Sequence, residues 1–594
     1  MITLDGRSQL NVGLAQLKPE KAAIEANLTN IREIVKNHAN IVDLLVFPET
    51  ILSGYFLEGG VAEAARSAEE VSLGLGEPLP GSPDVVIGFY EKHQRKLYNS
   101  VGYFTPGNYG FEPTHIHRKM FIPTYGVFDE ARFVEPGRNV SAFDTKIGRI
   151  GMLICEEMWH SLPATILSLD GAEIIIAVSA SPARDLTPNN EGLPDNLLRW
   201  ESLAPATATE HGIFVLVSQL VGSEGGKLFP GGSLAVGPDG GVLARGPILE
   251  EGITLASLDL LDIDRARAKS PLLADLEKTL PDLQESLSQS QKSKVTIAEI
   301  VDEPSTINVS RATPHPPITY DDMSVLDLDM HLVEKMLVEF IREEVIRSRG
   351  FKNVVIGLSG GVDSSVSLCL AVQALGPENV IGFRMPYATS SKESLDHAEL
   401  VIKAYGAKSR TIDITETADS YINKYEPDTT PLRRGNIAAR LRSVILFDQS
   451  AKLQALPLGT GNKSERLLGY YTWHADDSPP INPLGDLLKT QVWALARHLG
   501  IPEIILDKPA SADLIKGVHD EDEIGIPYSR ADLILHWLLK GYREDELKEY
   551  GFPENDVDRV WKLLSSTHWK RELPTVAMLS SSAIGEFYLR PVDY

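Results

Sequence analysis

The stretch Val354-Val355-Ile356-Gly357-Leu358-Ser359-Gly360-Gly361-Val362-Asp363-Ser364-Ser365 decides the fold of the second half of the chain. Residues 354–358 form a short apolar run that leads straight into a Gly-Gly loop. Residues 365–375 then carry a helical pattern, and 380–384 a second apolar strand. Strand, loop, helix and strand in this order make a βαβ unit of a parallel sheet. Upstream, 331–349 reads as a long amphipathic helix. The loop suits a phosphate: glycines let the backbone come close to an anion, and successive N–H groups at a helix N-terminus bind it together with serine hydroxyls. A bare turn behind a buried strand has no need of two glycines, three hydroxyls and an aspartate. Gly357, Leu358, Ser359, Gly360, Gly361, Val362, Asp363, Ser364 and Ser365 are therefore the candidate phosphate contacts. The spacing is not the G-x-x-x-x-G-K-[ST] of P-loop nucleotidases.

Working outward, the chain has 594 residues, roughly four domain-equivalents at ~150 residues each. Hydrophobic residues make up 43% and charged residues 23%, which excludes a mostly disordered chain, a collagen-like chain and a coiled-coil rod. Lys and Arg number 57 against 82 Asp and Glu, a formal net charge of −25. Such a chain repels nucleic acid and anionic membranes, so no partner of either kind is expected, and an anionic substrate needs a local basic pocket. Two cysteines, Cys155 and Cys369, make neither a disulfide framework nor a Cys-rich metal site, and suit a reducing compartment. The start lacks a basic segment followed by an apolar core, and no run reaches the ~18 apolar residues of a membrane span. The expectation is a cytoplasmic multidomain enzyme.

The first half also reads as α/β. Strands are expected at 12–16, 44–47, 85–89, 100–104, 150–154, 174–178 and 213–218, several of them apolar on both faces. Helices are expected at 22–38 and 197–211, and residues 231–244 read as a hairpin turned by Pro-Asp-Gly-Gly. A helix is possible at 272–287, whereas 288–317 is rich in Ser, Lys, Thr and Pro and reads as a connector. This divides the chain into domains 1–261 and 323–594 with a linker at 262–322.

The phosphate loop resembles the SGG-x-D-S loop of ATP pyrophosphatases, which split ATP into AMP and pyrophosphate while adenylating a substrate. Within that superfamily, several further segments are similar to those of NAD synthetases. They are Arg434-Gly435-Asn436-Ile437-Ala438-Ala439-Arg440-Leu441-Arg442, Leu458-Gly459-Thr460-Gly461-Asn462-Lys463-Ser464-Glu465, and Asn482-Pro483-Leu484 followed by Leu488-Lys489-Thr490-Gln491. Lys508-Pro509-Ala510-Ser511-Ala512-Asp513-Leu514, Asp522-Glu523-Ile524-Gly525 and His568-Trp569-Lys570-Arg571 complete the set. The resemblance implies a Rossmann-like parallel sheet, with ATP also contacted by Thr460 and Lys489. It further implies a deamido-NAD⁺ pocket lined by Asn436, Arg440, Glu465, Lys508 and Lys570. Asp363 and Glu465, hard oxygen donors, would share Mg²⁺ with the phosphates. The segment Trp473-His474-Ala475-Asp476-Asp477-Ser478-Pro479 departs from the Gly-Asp-rich loop of these relatives.

Cys155 ends the apolar run 150–154, Glu49 ends 44–47, and Lys119 lies between them in sequence in a moderately apolar setting. The order Glu49, Lys119, Cys155 resembles the triad of the nitrilase, or carbon–nitrogen hydrolase, superfamily, which implies an α-β-β-α sandwich. Its logic is nucleophile, base and electrostatic stabiliser. Cys155 attacks an amide, Glu49 moves the thiol proton to departing ammonia, and Lys119 lowers the thiol pKa and steadies the oxyanion with backbone N–H. Tyr125-Gly126-Val127-Phe128-Asp129-Glu130 further resembles the nitrilase domain fused to glutamine-dependent NAD synthetases. That implies glutamine contacts at Tyr125, Ser181 and Arg184, with Arg199 the alternative to Arg184. Glu130 is either a second site carboxylate or a helix-start residue, and Cys369 reads as core.

An amidase joined to an adenylating domain is the layout of an amidotransferase. The resemblance implies glutamine, ATP and deamido-NAD⁺ as small-molecule substrates, and a homo-oligomer, with an octamer expected. Competing readings are amidation of a different acid, tRNA thiolation, and an inactive scaffold. The 434–442 segment, the negative charge with one cysteine in this half, and the intact triad and loop speak against them in turn.

Overall fold

A computed structural model describes residues 8–57, 60–189, 192–292, 318–509 and 519–572. Residues up to Asp185 and from Leu193 pack as one unit, and residues 318–572, with the short stretch beginning at Leu186, as another. Residues 293–317 of the connector expected at 288–317 and most of the 508–514 motif lie outside the described residues.

The first unit stacks two six-stranded sheets. One has the order Gly252–Asp259, Gln9–Gln16, Leu44–Val46, Asp84–His93, Lys96–Pro106, Phe111–Arg118. The other has the order Val242–Arg245, Leu234–Val236, Phe214–Gln219, Ile174–Ser179, Gly148–Ile154, Phe143–Thr145. Leu44–Val46, Ile174–Ser179 and Phe214–Gln219 are buried along their whole length, because each has a layer on both faces. Val12, Leu44, Val46 and Val86 meet Ile150, Ile154, Ile176 and Leu216 between the sheets. Outside, the helix Ile24–Asn37 covers the first sheet with Ile24, Leu28, Ile31 and Val35, and Asp195–His211 covers the second with Leu197, Trp200, Ala204 and Ala208. This is the α-β-β-α sandwich. Parallel pairing of Leu44–Val46 with Gln9–Gln16 and Asp84–His93, and of Gly148–Ile154 with Ile174–Ser179, sends these strands' C-terminal ends the way chemistry-bearing loops leave an α/β sheet.

Several elements went unread in the sequence. Phe111–Arg118 and Gly252–Asp259 are strands with mixed or exposed faces, and Val221–Glu224 pairs with Lys227–Pro230 in a small hairpin. The helix begun at Leu272 runs on to Lys292, five residues into the expected connector, because neither Pro nor Gly stops it there.

In the second unit four strands are all parallel, in the order Lys408–Thr411, Val380–Arg384, Asn353–Gly357, Ala455–Leu458. The chain moves outward from Asn353–Gly357 to one side, then returns to its other side. The gap between Asn353–Gly357 and Ala455–Leu458 is thus a topological switch point, where open α/β sheets bind ligands. The helix expected at 365–375 starts earlier, at Val362, with Gly361 as N-cap. The helix at 331 is capped by Asp329, whose carboxylate accepts the N–H groups of His331 and Leu332 at 3.0 and 3.1 Å. It is α-helical only over Met330–Arg342 and closes in a wide turn at Glu343–Arg347.

Gly360 holds the phosphate loop open. Its φ is +78°, and a Cβ there would lie 2.1 Å from the carbonyl oxygen of Ser394. Left-handed backbone and a backbone collision together are expected to make Gly360→Ala about 2–4 kcal/mol less stable. Thermal unfolding of the variant beside the parent chain checks this, and an unchanged melting temperature refutes it.

Candidate active sites

Three strand ends converge in the first unit. Glu49 follows Leu44–Val46, Lys119 follows Phe111–Arg118, and Cys155 follows Gly148–Ile154. Lys119 has no exposed surface; its Nζ lies 2.8 Å from Glu49 Oε1 and 2.8 Å from Glu130 Oε2. Glu130 is thus placed inside this cluster. Ala180 N–H, at the end of a strand of the opposite sheet, donates to Glu49 Oε2 at 2.7 Å. Asn99 Nδ2 donates to Glu49 Oε1 at 2.8 Å and also to Glu130. Tyr55 Oη donates to Glu130 Oε2 at 3.1 Å. Burial alone would strip Lys119 of its proton, but Glu130 and Glu49 outweigh it and hold the ammonium well above its usual range. Glu130 is raised by burial against the pull of Lys119.

Cys155 has φ of +48°, a strained elbow at the start of the short 3₁₀ helix Cys155–Trp159. The charge of Lys119 pulls the Cys155 thiol down. Burial and the charge of Glu49 push it up to about 12, more than Lys119 pulls it down. At rest it is a thiol, not a thiolate, so a base must take its proton as it attacks. Glu49 stands in that electrostatic neighbourhood.

Tyr125 is half-exposed, and burial with the charge of Glu156 raises its phenol. The Arg184 guanidinium lies 4.8 Å from the Phe128 ring and 5.8 Å from that of Tyr125, and its Nη2 is buried without a hydrogen-bond partner. Arg199 instead stacks on Trp159 at 4.4 Å. Ser181 Oγ accepts from Asn196 Nδ2 at 3.0 Å, and Asn196 Oδ1 accepts the Arg184 N–H at 3.1 Å. Arg184, not Arg199, therefore shares a neighbourhood with Tyr125 and Ser181.

Sequence reasoning missed the residues that hold this site still. Nothing in the sequence singles out Asn99, which falls just before the strand expected at 100–104. Glu157, given no role in the sequence, is fully buried and accepts Met120 N–H, Ile154 N–H and His117 Nε2, each at 2.7 Å. One carboxylate so clamps the chain beside Lys119 to the chain beside Cys155. The run Cys155-Glu156-Glu157, two acids behind a buried strand, was the available signal.

In the second unit, the loop after Asn353–Gly357 and residues after Ala455–Leu458 border a cavity of about 550 Å³ at the switch point. Gly357, Leu358, Ser359, Gly361, Val362, Asp363, Ser364, Asn436, Thr460, Glu465, Lys489, Lys508 and Lys570 line it. Gly360, Ser365 and Arg440 do not. Ser365 is buried with its hydroxyl on Gly361 O at 2.8 Å, and Arg440 is exposed and donates to Trp473 O at 3.2 Å. Lys489, buried, ion-pairs with Asp363 and lies 3.4 Å from Glu465 Oε1. Burial pushes Glu465 up to about 8 against the pull of Lys489. Glu465 also closes a capping box with Asn462, whose Nδ2 donates to Asp363 Oδ1 at 2.9 Å. Asp532, unread in the sequence, anchors both helix starts: it accepts from Ser464, and from Thr490 N–H and Oγ1 at 2.8 Å each. Lys570 donates to Gly469 O and Tyr471 O at 2.8 and 3.0 Å, and Lys508 to Ser394 Oγ at 2.7 Å. The departing loop presents Trp473 5.2 Å from Trp569 and 3.9 Å from His474.

Fold and sites together define a two-part enzyme, a buried Cys-Glu-Lys cluster on a hydrolase sandwich and a nucleotide-type pocket on a parallel sheet. The chain matches the carbon-nitrogen hydrolase family over residues 11–268 and the NAD synthase family over residues 333–574. It is 30% identical over 603 residues to the glutamine-dependent NAD(+) synthetase of Aquifex aeolicus (strain VF5), across 98% of this chain and 99% of that one. It is 48% identical over 261 residues to the NH(3)-dependent NAD(+) synthetase of Pelodictyon phaeoclathratiforme (strain DSM 5477 / BU-1), across 44% of this chain and 94% of that one. The solved structure of a glutamine-dependent NAD+ synthetase from Acinetobacter baumannii in complex with ADP shares the fold, with a TM-score of 0.69 at 22% identity over 99% of this chain and 98% of that one. The chain belongs to the glutamine-dependent NAD(+) synthetase family and is a ligase.

The raised thiol sets a pH dependence. With its pKa pushed up to about 12, the thiolate fraction of Cys155 grows about tenfold per pH unit across the whole range below that value. Alkylation of Cys155 by iodoacetamide, read by mass spectrometry of its peptide, is expected to keep accelerating to pH 10. A plateau near pH 8 would mean an already activated thiolate.

Proposed function

We propose that this chain makes NAD⁺ from deamido-NAD⁺, ATP and glutamine, releasing AMP, pyrophosphate and glutamate. The observation that carries this reading is the pairing in one chain of the buried Glu49-Lys119-Cys155 cluster with the phosphate-loop cavity. The full-length similarity to glutamine-dependent NAD(+) synthetases supports it.

In the first half-reaction Cys155 Sγ attacks the side-chain amide carbon of glutamine. Glu49 takes the thiol proton and passes it to the nitrogen as the C–N bond breaks, which frees ammonia and leaves a thioester. Lys119, held protonated by its two carboxylates, stabilises the oxyanion. Water then hydrolyses the thioester, yielding glutamate and the thiol. Arg184, with a buried unpartnered nitrogen beside Tyr125, suits the substrate's carboxylate.

In the second half-reaction a carboxylate oxygen of deamido-NAD⁺ attacks the α-phosphorus of ATP, and pyrophosphate leaves. Ammonia attacks the resulting acyl-adenylate carbonyl and displaces AMP. The loop at 357–365, Thr460 and Lys489 would hold the ATP phosphates; Asn436, Lys508 and Lys570 would line the second substrate's pocket, with Arg440 acting on it through the Trp473 loop. Asp363 and Glu465 share one cavity wall and one ammonium, so their oxygens suit Mg²⁺. When bound, that ion neutralises phosphate charge. The protein is read as a cytoplasmic homo-oligomer, an octamer, which sedimentation velocity measures directly. Among the described residues no helix is long and apolar enough to cross a membrane.

The decisive experiment separates the two sites. Cys155→Ala is expected to lower glutamine-driven NAD⁺ formation by about 10⁴-fold and leave ammonia-driven formation intact. Asp363→Asn is expected to lower synthesis from either nitrogen source, most strongly at limiting Mg²⁺, while glutamine hydrolysis survives. Equal loss of both activities in Cys155→Ala, or ADP in place of AMP as product, refutes the reading.

Ammonia is proposed to reach the second site without mixing with solvent, and glutamine hydrolysis to wait for that site. Near neutral pH ammonia in bulk water becomes ammonium, which has no lone pair for the adenylate, and open water would hydrolyse the adenylate itself. Coupling needs an element with two arrangements that both sites bias, and residues 125–130 and 473–479 are the candidates. An ammonia trap of glutamate dehydrogenase with 2-oxoglutarate and NADPH, added during glutamine-driven turnover, is expected to leave NAD⁺ yield unchanged, and, without the trap, deamido-NAD⁺ with Mg-ATP to accelerate glutamate release. Nitrogen appearing mainly in the trap while synthesis falls, or glutaminase indifferent to the second substrates, refutes the respective half.

A further inference from the structure

Outside both sites, the second unit brings two imidazoles and a carboxylate together. His331 and Glu334 stand three residues apart on one face of the helix Met330–Arg342, and His498 is the last residue of the helix Lys489–His498. One ligand atom from each lies within 4.8 Å of the others. His498 Nε2 is 2.8 Å from Glu334 Oε2, and the rings of His331 and His498 are 6.4 Å apart.

We infer that His331, Glu334 and His498 form a site for a divalent transition-metal ion of the Zn²⁺ or Co²⁺ class. The donor chemistry selects the ion. Two imidazole nitrogens and one carboxylate oxygen suit Zn²⁺, Co²⁺ or Ni²⁺, whereas Mg²⁺ prefers oxygen throughout. Donors bound ~2.0–2.1 Å from a tetrahedral ion sit roughly 3.3 Å from one another. The Glu334–His498 pair is already that close, and partly exposed side chains reach the remainder by small rotamer shifts. An ion pair between Glu334 and His498 alone would have no use for the third donor, His331.

The scaffold is rigid. Val333, Val338 and Ile341 of the first helix share a core with Val492, Leu495 and Ala496 of the second, so the donors rise from packed elements. His498 stands at a helix C-terminus, where the carbonyl ends favour a cation. The outward side is open, leaving room for water as a fourth ligand. Because the second helix begins at Lys489, an ion here pins the far end of the helix that carries the cavity's buried lysine.

Cobalt is the probe. Full-length protein stripped with a chelator is expected to take up one equivalent of Co²⁺, with visible d–d bands of nitrogen and oxygen ligation, and excess Mg²⁺ should not displace it. Cys155→Ala should bind as the parent does, which excludes the thiol. His498→Ala and Glu334→Gln should each weaken binding by roughly tenfold or more. Zn²⁺ should raise the melting temperature of the parent and not of either variant. Should His498→Ala fail to fold, Glu334→Gln and His331→Asn carry the test. No uptake by the parent, or undiminished uptake in the variants that fold, overturns the site.

Discussion

An ammonium with no contact with water, held between two carboxylates, is the constraint on which the first unit depends. Taking Lys119, Glu49 and Glu130 out of water costs of order several kcal/mol per ion before any is repaid by attraction. The arrangement is supported by further partners for the two acids: Asn99 spans both, Ala180 N–H meets Glu49, and Tyr55 meets Glu130. Those partners come from both sheets and from the loop at 47–57. The sandwich must therefore close in one register for the cluster to exist. Ser218, whose hydroxyl donates to Ala15 O and Val46 O at 3.0 and 3.2 Å, ties the same strands together from the opposite sheet.

The second unit repeats the device with a different outcome. Lys489 is as buried as Lys119 and also faces two acids. Here the acids border a cavity instead of a sealed core, and Asp363 is partly exposed. A sealed triad fixes charge in place and suits a reaction that needs one unvarying field. An open one can exchange partners: on the proposed reading, phosphate oxygens would compete for the ammonium and the released carboxylates would face a cation. Asp532 makes that exchange possible without collapse, because it fixes the helix starts behind Lys489 and Glu465 independently of whatever fills the cavity.

The candidate site residues were legible because each stands at the end of an apolar strand, where a charged or nucleophilic side chain interrupts an otherwise uniform pattern. Glu49, Cys155 and the loop after Gly357 all read this way. What escaped were residues whose role exists only through partners distant in sequence. Asn99 lies 50 residues from Glu49 and 31 from Glu130. Asp532 lies 68 from Ser464. Short edge strands escaped for another reason. Lys408–Thr411 is exposed throughout, so backbone pairing with Val380–Arg384 makes it a strand where no apolar alternation could announce it. Lys119 does lower the thiol of Cys155, but the sequence could not show that burial and the charge of Glu49 raise it by more.

That sign reaches into the chemistry. A thiolate poised beside Lys119 would react with any electrophile that entered. A thiol becomes nucleophilic only when an acceptor is ready for its proton; Glu49 is the acceptor proposed here, and Lys119, Asn99 and Ala180 N–H orient its oxygens. Glu157 adds a second condition, since it joins the chain beside Lys119 to the elbow at Cys155. For the proposed reaction, such a resting state makes proton transfer, not thiolate supply, the event that starts turnover.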